Sequence, residues 1–157
     1  MNITALFKAL QASTFSTYLG KQDHLFGAIA QLFHIGGLIL VLAPILLISL
    51  RLLGVGLVKQ TVPELVQATA RWIWIGLAIL AISGLAIFLP SASHYSSNPI
   101  FWFKFILLSV AILFHITWYR KVTQQVAPRP VIARPTAVLA LTIWFGIAFA
   151  GRFIGFY

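Results

Sequence analysis

Four long apolar runs, separated by short polar stretches, dominate the order of residues along the chain. The first, residues 26–50, carries no formal charge and is interrupted only by Gln31, His34, Pro44 and a few small residues. The second covers 72–89 and stops at Pro90. The third, 100–119, follows Asn98-Pro99, and proline suits a first helical position because its missing N–H has no partner there anyway. The fourth, 137–156, begins after Pro135 and contains Arg152. Each run approaches the roughly 20 residues a helix needs to cross a bilayer. None shows the alternation of a barrel strand, and each is far longer than one. The pattern predicts an all-α membrane protein with four transmembrane helices in an up-down bundle. Residues 1–20 differ: Ile3, Leu6, Phe7 and Leu10 recur at helical spacing among Lys8, Gln11 and Ser13. That spacing predicts a short amphipathic helix lying along the interface, ahead of a bundle formed by 21–157. A signal peptide fits poorly, since no compact apolar stretch with a small-residue cleavage site precedes the first run.

Composition sharpens this picture. Of 157 residues, 61% are hydrophobic and 8% charged, against about a quarter charged in a soluble domain. An ordinary globular protein and a disordered chain are both excluded. Cysteine is absent, which removes disulfides, thiolate metal sites and cysteine nucleophiles. Eleven Lys and Arg face two acids, a net charge of +9. In so apolar a chain that bias reads as topology. Arg51, Lys59 and Arg71 lie between the first two runs, and Arg120, Lys121, Arg129 and Arg134 between the last two. Only Lys8 and Lys21 lie outside the runs on the other side. The basic side is expected to be cytoplasmic in a bacterial inner membrane, with both termini and the His94 loop on the periplasmic side. Trp72, Trp74, Trp118 and Tyr119 are expected at the inner interface, and Tyr95, Trp102 and Tyr157, with His24, at the outer one. Span 4 spaces Gly146, Ala150, Gly151 and Gly155 for close helix contact, within the bundle or with another subunit. Span 2 has a weaker set in Gly76, Ser83 and Gly84.

The candidate chemistry lies in the polar residues inside the spans: His34, Lys104, His115 and Arg152. A charge at mid-bilayer costs from about 3 kcal/mol upward, so such groups snorkel or find a partner. From the helical rise, His34 lies roughly 12 Å, and Lys104 and Arg152 roughly 8 Å, below the outer ends of their spans. No intramembrane carboxylate exists for them, because the only acids are Asp23, at the outer mouth of span 1, and Glu64, in the opposite loop. The cations therefore reach the interface, meet lipid phosphate, or bind an anion from outside the chain. A b-type haem supplies two propionates, and histidine is a common axial ligand of its iron. A haem with iron near His34 and propionates toward Lys104 and Arg152 satisfies all three groups. His115 shares the Lys104 face of span 3 and stands about 9–13 Å from the depth of His34. Either it or His94, folding back from the outer loop, is a candidate second axial ligand.

Other chemistry is poorly supported. Copper(I) transport favours Cys and Met, neither acid is placed to complete a triad with serine and histidine, and no glycine-rich phosphate loop follows a strand. The basic loops lack the aromatic interleaving of a nucleic-acid surface. The expected partners are the bilayer, a quinone or an outer-face redox protein, with no nucleic acid.

The stretch His34-Ile35-Gly36-Gly37 leading to Leu50-Arg51-Leu52-Leu53-Gly54, the segment Asn98-Pro99-Ile100-Phe101 with Lys104, and Trp144 with Gly151-Arg152 resemble the core helices of the copper-resistance D family. The same skeleton is similar to the HemJ-type protoporphyrinogen oxidases, four-helix membrane proteins that bind haem b. His34, Arg51, Lys104 and His115 stand where that family has a first-helix His and Arg and a third-helix Lys and His. The resemblance implies haem binding, with His34 the ligand and Lys104 an essential neighbour. The chain departs from that enzyme after Arg51-Leu52, where its aromatic residue and second His are missing, and at a C-terminus without an Asn-Glu-Pro ending. Both departures count against porphyrinogen oxidation, and no enzyme activity is assigned. The leading expectation is a b-type haem protein in electron transfer near the outer leaflet. The alternative is a cofactor-free accessory or assembly subunit of a larger membrane complex. Copper handling rests on the resemblance alone.

Overall fold

A computed structural model describes residues 2–57 and 59–156, apart from the side chain of His24. The expected interfacial places of Tyr157 and of the His24 side chain lie outside the described residues. All elements among the described residues are helical: α1 (Ile3–Gln11), α2 (Thr14–Gly20), α3 (His24–Leu53), α4 (Val62–Phe88), α5 (Ala92–Tyr95), α6 (Pro99–Phe114), α7 (Arg120–Thr123) and α8 (Pro130–Phe153). A short 3-10 turn, Leu89–Ser91, joins α4 to α5, and a π-helical turn, His115–Tyr119, joins α6 to α7. Four stretches are long and apolar enough to cross a membrane: Leu25–Leu53, Val62–Tyr95, Pro99–Thr123 and Pro130–Phe156. The chain is an all-α, membrane-type protein.

Local signals set the helix ends. Thr61 and Glu64 form a reciprocal capping box, with the Thr61 N–H donating to Glu64 at 2.8 Å, so α4 begins ten residues before the apolar run at Trp72. Asn98 caps α6 by accepting from the N–H groups of Ile100 (3.0 Å) and Phe101 (3.2 Å). Gly54, at φ 80°, ends α3 in the left-handed conformation that glycine adopts without penalty. The fourth membrane helix starts at Pro130 and continues through Pro135. Pro130 stands in its first turn, and within a bundle the backbone group that Pro135 frees can be satisfied locally. The expected single interfacial helix is two, because the Ser13 side chain accepts from the Ser16 N–H and starts α2 afresh.

Helix α3 packs along α4 and α8, and α8 packs along α6. The core runs through Val41, Ile45 and Ile48 of α3 and Ala137, Ala140 and Trp144 of α8. The closest approach is α3 on α4. A methyl on Gly76 would stand 2.7 Å from the Gly37 carbonyl oxygen, and one on Gly37 would stand 3.0 Å from that of Gly76. In lipid, such backbone contact supplies the dispersion that holds helices together. The outer surface is apolar, with Leu32, Phe33, Ile82 and Phe149 exposed.

One end of the bundle carries a cap made of α1, α2 and α5. Phe7 drops from α1 into an aromatic box, stacked on Trp102 (5.8 Å) and edge-on to Phe88 (5.3 Å) and Phe101 (6.2 Å). Polar bonds fasten the same cap. Ser16 donates to the Leu89 carbonyl at 2.8 Å, and Gln11 accepts from the Ser93 N–H at 2.9 Å and from its hydroxyl.

Candidate functional site

Near the capped end, α3 brings His34 onto α4. The Ser83 hydroxyl lies 2.9 Å from His34 Nδ1 and donates to the Ile79 carbonyl at 2.6 Å. A hydroxyl has one proton. With that proton on Ile79, Nδ1 must carry its own hydrogen and donate it to Ser83 Oγ. The proton-free nitrogen of a neutral ring is then Nε2, which has no hydrogen-bond partner among the described residues. Gly84 makes room for the ring: a methyl there would stand 3.3 Å from His34 Cε1. Histidine, serine, carbonyl and glycine thus fix both the tautomer and the place of the imidazole.

Across the bundle, Lys104 of α6 lies against α8. A methyl on Gly151 would meet Lys104 Nζ at 3.2 Å, so the ammonium occupies the space that the glycine leaves. Lys104 has no hydrogen-bond or ionic partner among the described residues. Arg152 follows Gly151, but its guanidinium is exposed and lies over the Phe156 ring at 5.8 Å. Of the three groups expected in one layer, the structure seats His34 against α4 and Lys104 against α8 and leaves Arg152 exposed at the rim.

The other candidates have different surroundings. His94 is exposed on α5, its ring edge-on to Tyr95 at 5.7 Å. His115 begins the π-helical turn, stacked on Tyr119 at 5.1 Å and edge-on to Trp144 of α8 at 6.1 Å. Lys104 and His115 therefore both face α8, about three turns apart. No contact joins His94 or His115 to His34 among the described residues. The His115 neighbourhood holds a second oddity, the Trp144 indole N–H, which is buried with no partner among the described residues.

Ser83, Gly84 and Gly151 have no place in a site read from sequence. Two of them stand 49 or 50 positions from His34 and gain their meaning only when α4 crosses α3. Of the small residues of span 4, Gly146 packs against Leu107 and Gly151 against Lys104, while nothing lies within 4 Å of a methyl on Gly155.

No curated protein and no solved structure matches the chain. The model of a family of unknown function, DUF6644, matches residues 7–157, from the aromatic anchor Phe7 through all four long helices, and the chain belongs to that family.

Proposed function

We propose that this protein is a b-type haem protein of a bacterial inner membrane that passes electrons near the outer leaflet, with His34 as the residue that would hold the iron. The observation that carries this reading is the fixed tautomer of His34. An imidazole that ligates a metal generally donates its other ring N–H to a fixed acceptor, which orients the ring and raises its basicity. The bond from Nδ1 to Ser83 supplies that acceptor and leaves the Nε2 lone pair for iron. Four of the iron donors come from the macrocycle, so one histidine suffices to hold the group.

Lys104 suits the acid side chains of such a cofactor. An ammonium in an apolar bundle without a carboxylate partner is costly, and a propionate would offset that cost. Arg152, exposed one residue beyond the glycine that seats Lys104, would offer a second cation to such acid groups. When bound, haem supplies a one-electron couple between two iron oxidation states. The residues hold the ligand ring still, balance the acid groups and keep the site in apolar surroundings. The likeness of His34, Arg51, Lys104 and His115 to the HemJ-type pattern supports the reading, and the reading assigns neither His94 nor His115 as a second ligand.

The test is an absorption spectrum of protein purified in detergent from haem-replete cells. A Soret band is expected, and His34→Ala should abolish it while leaving the elution profile unchanged. Colourless wild-type protein under full haem supply rejects the proposal.

A further inference from the structure

A pocket of about 280 Å³ lies at the end of the bundle opposite the cap, where the last turn of α3 meets the first turns of α4 and α8. Arg51 of α3 and Arg134 of α8 both line it. Arg51 is half-buried, and its Nε donates to the Gln60 carbonyl at 2.6 Å, a bond that holds the guanidinium at the pocket. Arg134 makes no hydrogen bond or ion pair among the described residues. Leu52, Val62 and Ala133, all buried, give the same pocket apolar walls.

Guanidiniums that share a pocket repel each other, and the chain sets no acid between them. Its only acids are Asp23, at the capped end, and Glu64. The Glu64 carboxylate accepts from the Thr61 N–H in the capping box of α4. Neither acid is among the described residues of the lining, and no ion pair joins Glu64 to either arginine among the described residues. The counter-charge must come from outside the chain. Guanidinium matches phosphate closely, through two parallel N–H···O bonds. Depth then favours one source of phosphate. The exposed Trp118 donates its indole N–H to Thr136 at 3.0 Å, two residues on from Arg134. That contact sets the arginine at the level where tryptophan belts meet lipid heads. The apolar walls suit glycerol and the first acyl carbons, for which a free phosphate has no use. A choline head would bring a further cation to the arginines. The volume lies just under the range of about 300–1,000 Å³ of drug-sized sites, so the pocket admits a head and leaves the chains in the bilayer. We propose that this pocket binds a phosphate group, supplied by the head of an anionic phospholipid. Basic pockets between membrane helices are suited to such heads. The site stands apart from the haem reading and does not depend on it.

The test uses the full chain purified in detergent and reads bound lipid by native mass spectrometry. The probes are phosphatidylglycerol, phosphatidylcholine and inorganic phosphate. Phosphatidylglycerol should stay bound where phosphatidylcholine does not, and millimolar phosphate should leave it in place. Arg134→Gln, an exposed change that breaks no bond among the described residues, should weaken retention about tenfold through loss of a charge-assisted bond. Lys121→Gln removes an equal charge from an exposed position at the same end, outside the described lining, and should change retention little. Displacement by inorganic phosphate overturns the lipid head as the source and assigns the site to soluble phosphate. Equal retention of the two lipids, an Arg134→Gln variant that binds as wild type does, or equal losses in both variants overturns the proposal.

Discussion

The Ser83 hydroxyl acts as a relay, accepting from His34 Nδ1 and donating to the Ile79 carbonyl of its own helix. Because the hydroxyl is held from below, the imidazole cannot exchange tautomers without breaking a bond in an apolar interior. Ser83→Ala removes the relay and leaves the buried Nδ1–H without a partner. Losing such an orienting group typically costs about 10–100-fold in metal affinity. The variant should therefore retain a Soret band when fresh but lose haem to an apomyoglobin trap faster than wild type, and its midpoint potential should shift. Ser83→Thr, which keeps the hydroxyl, should restore much of both. Equal haem loss and equal potentials in wild type and Ser83→Ala would show that the bond is incidental. Gly84 and Gly151 serve the same pair by what they lack, since each leaves a space that His34 or Lys104 fills.

Among the helices, the contact between α3 and α4 is the most exacting. At Gly76 a methyl would overlap the Gly37 carbonyl oxygen at 2.7 Å and Val41 Cγ2 at 2.8 Å. Backbone cannot yield as a flexible side-chain end can, so the two helices must separate. Gly76→Val should destabilise the bundle by about 1–3 kcal/mol, the usual cost of forcing extra carbon into a packed core. A lowered thermal midpoint in detergent would show it. Gly155→Ala is the control, since nothing lies within 4 Å of a methyl there. Equal midpoints for Gly76→Val and wild type would place the helix crossing elsewhere. The prediction also bears on His34, because Ser83 and Gly84 lie two turns along α4 from Gly76. A widened crossing should weaken retention of the proposed haem together with stability.

At the level of the whole molecule, the cap and the basic loops lie at opposite ends of the bundle. Seven of the eleven basic residues lie on or beside the loops opposite the cap. We expect that end in the cytoplasm and the capped end, with the proposed haem site, outside. The chain has no cysteine, so single substitutions report topology cleanly. Ser97→Cys, beside the cap and exposed, should react with a membrane-impermeant maleimide in intact spheroplasts. Gln124→Cys, exposed at the other end, should react only after the membrane is opened. The reverse pattern would put the proposed electron transfer on the cytoplasmic side.

Much of this was legible before any tertiary contact was known. Long apolar runs dictate helices because, without water, the backbone must bond to itself, and the runs at 26–50, 72–89, 100–119 and 137–156 each lie within one long helical stretch. The caps at Asn98 and Gly54 act through neighbouring residues, so they too are local. His34 and Lys104 stood out because polar groups are rare in such runs. Tertiary structure decided what those groups do: which nitrogen of His34 is engaged, that Lys104 fills the space at Gly151, and that Gly37 meets Gly76. Each of these depends on the rotation and spacing of one helix against another, which dispersion and a few hydrogen bonds set across dozens of intervening residues. Hydropathy carries no record of them, since a glycine at a crossing and a glycine facing lipid look alike in the sequence.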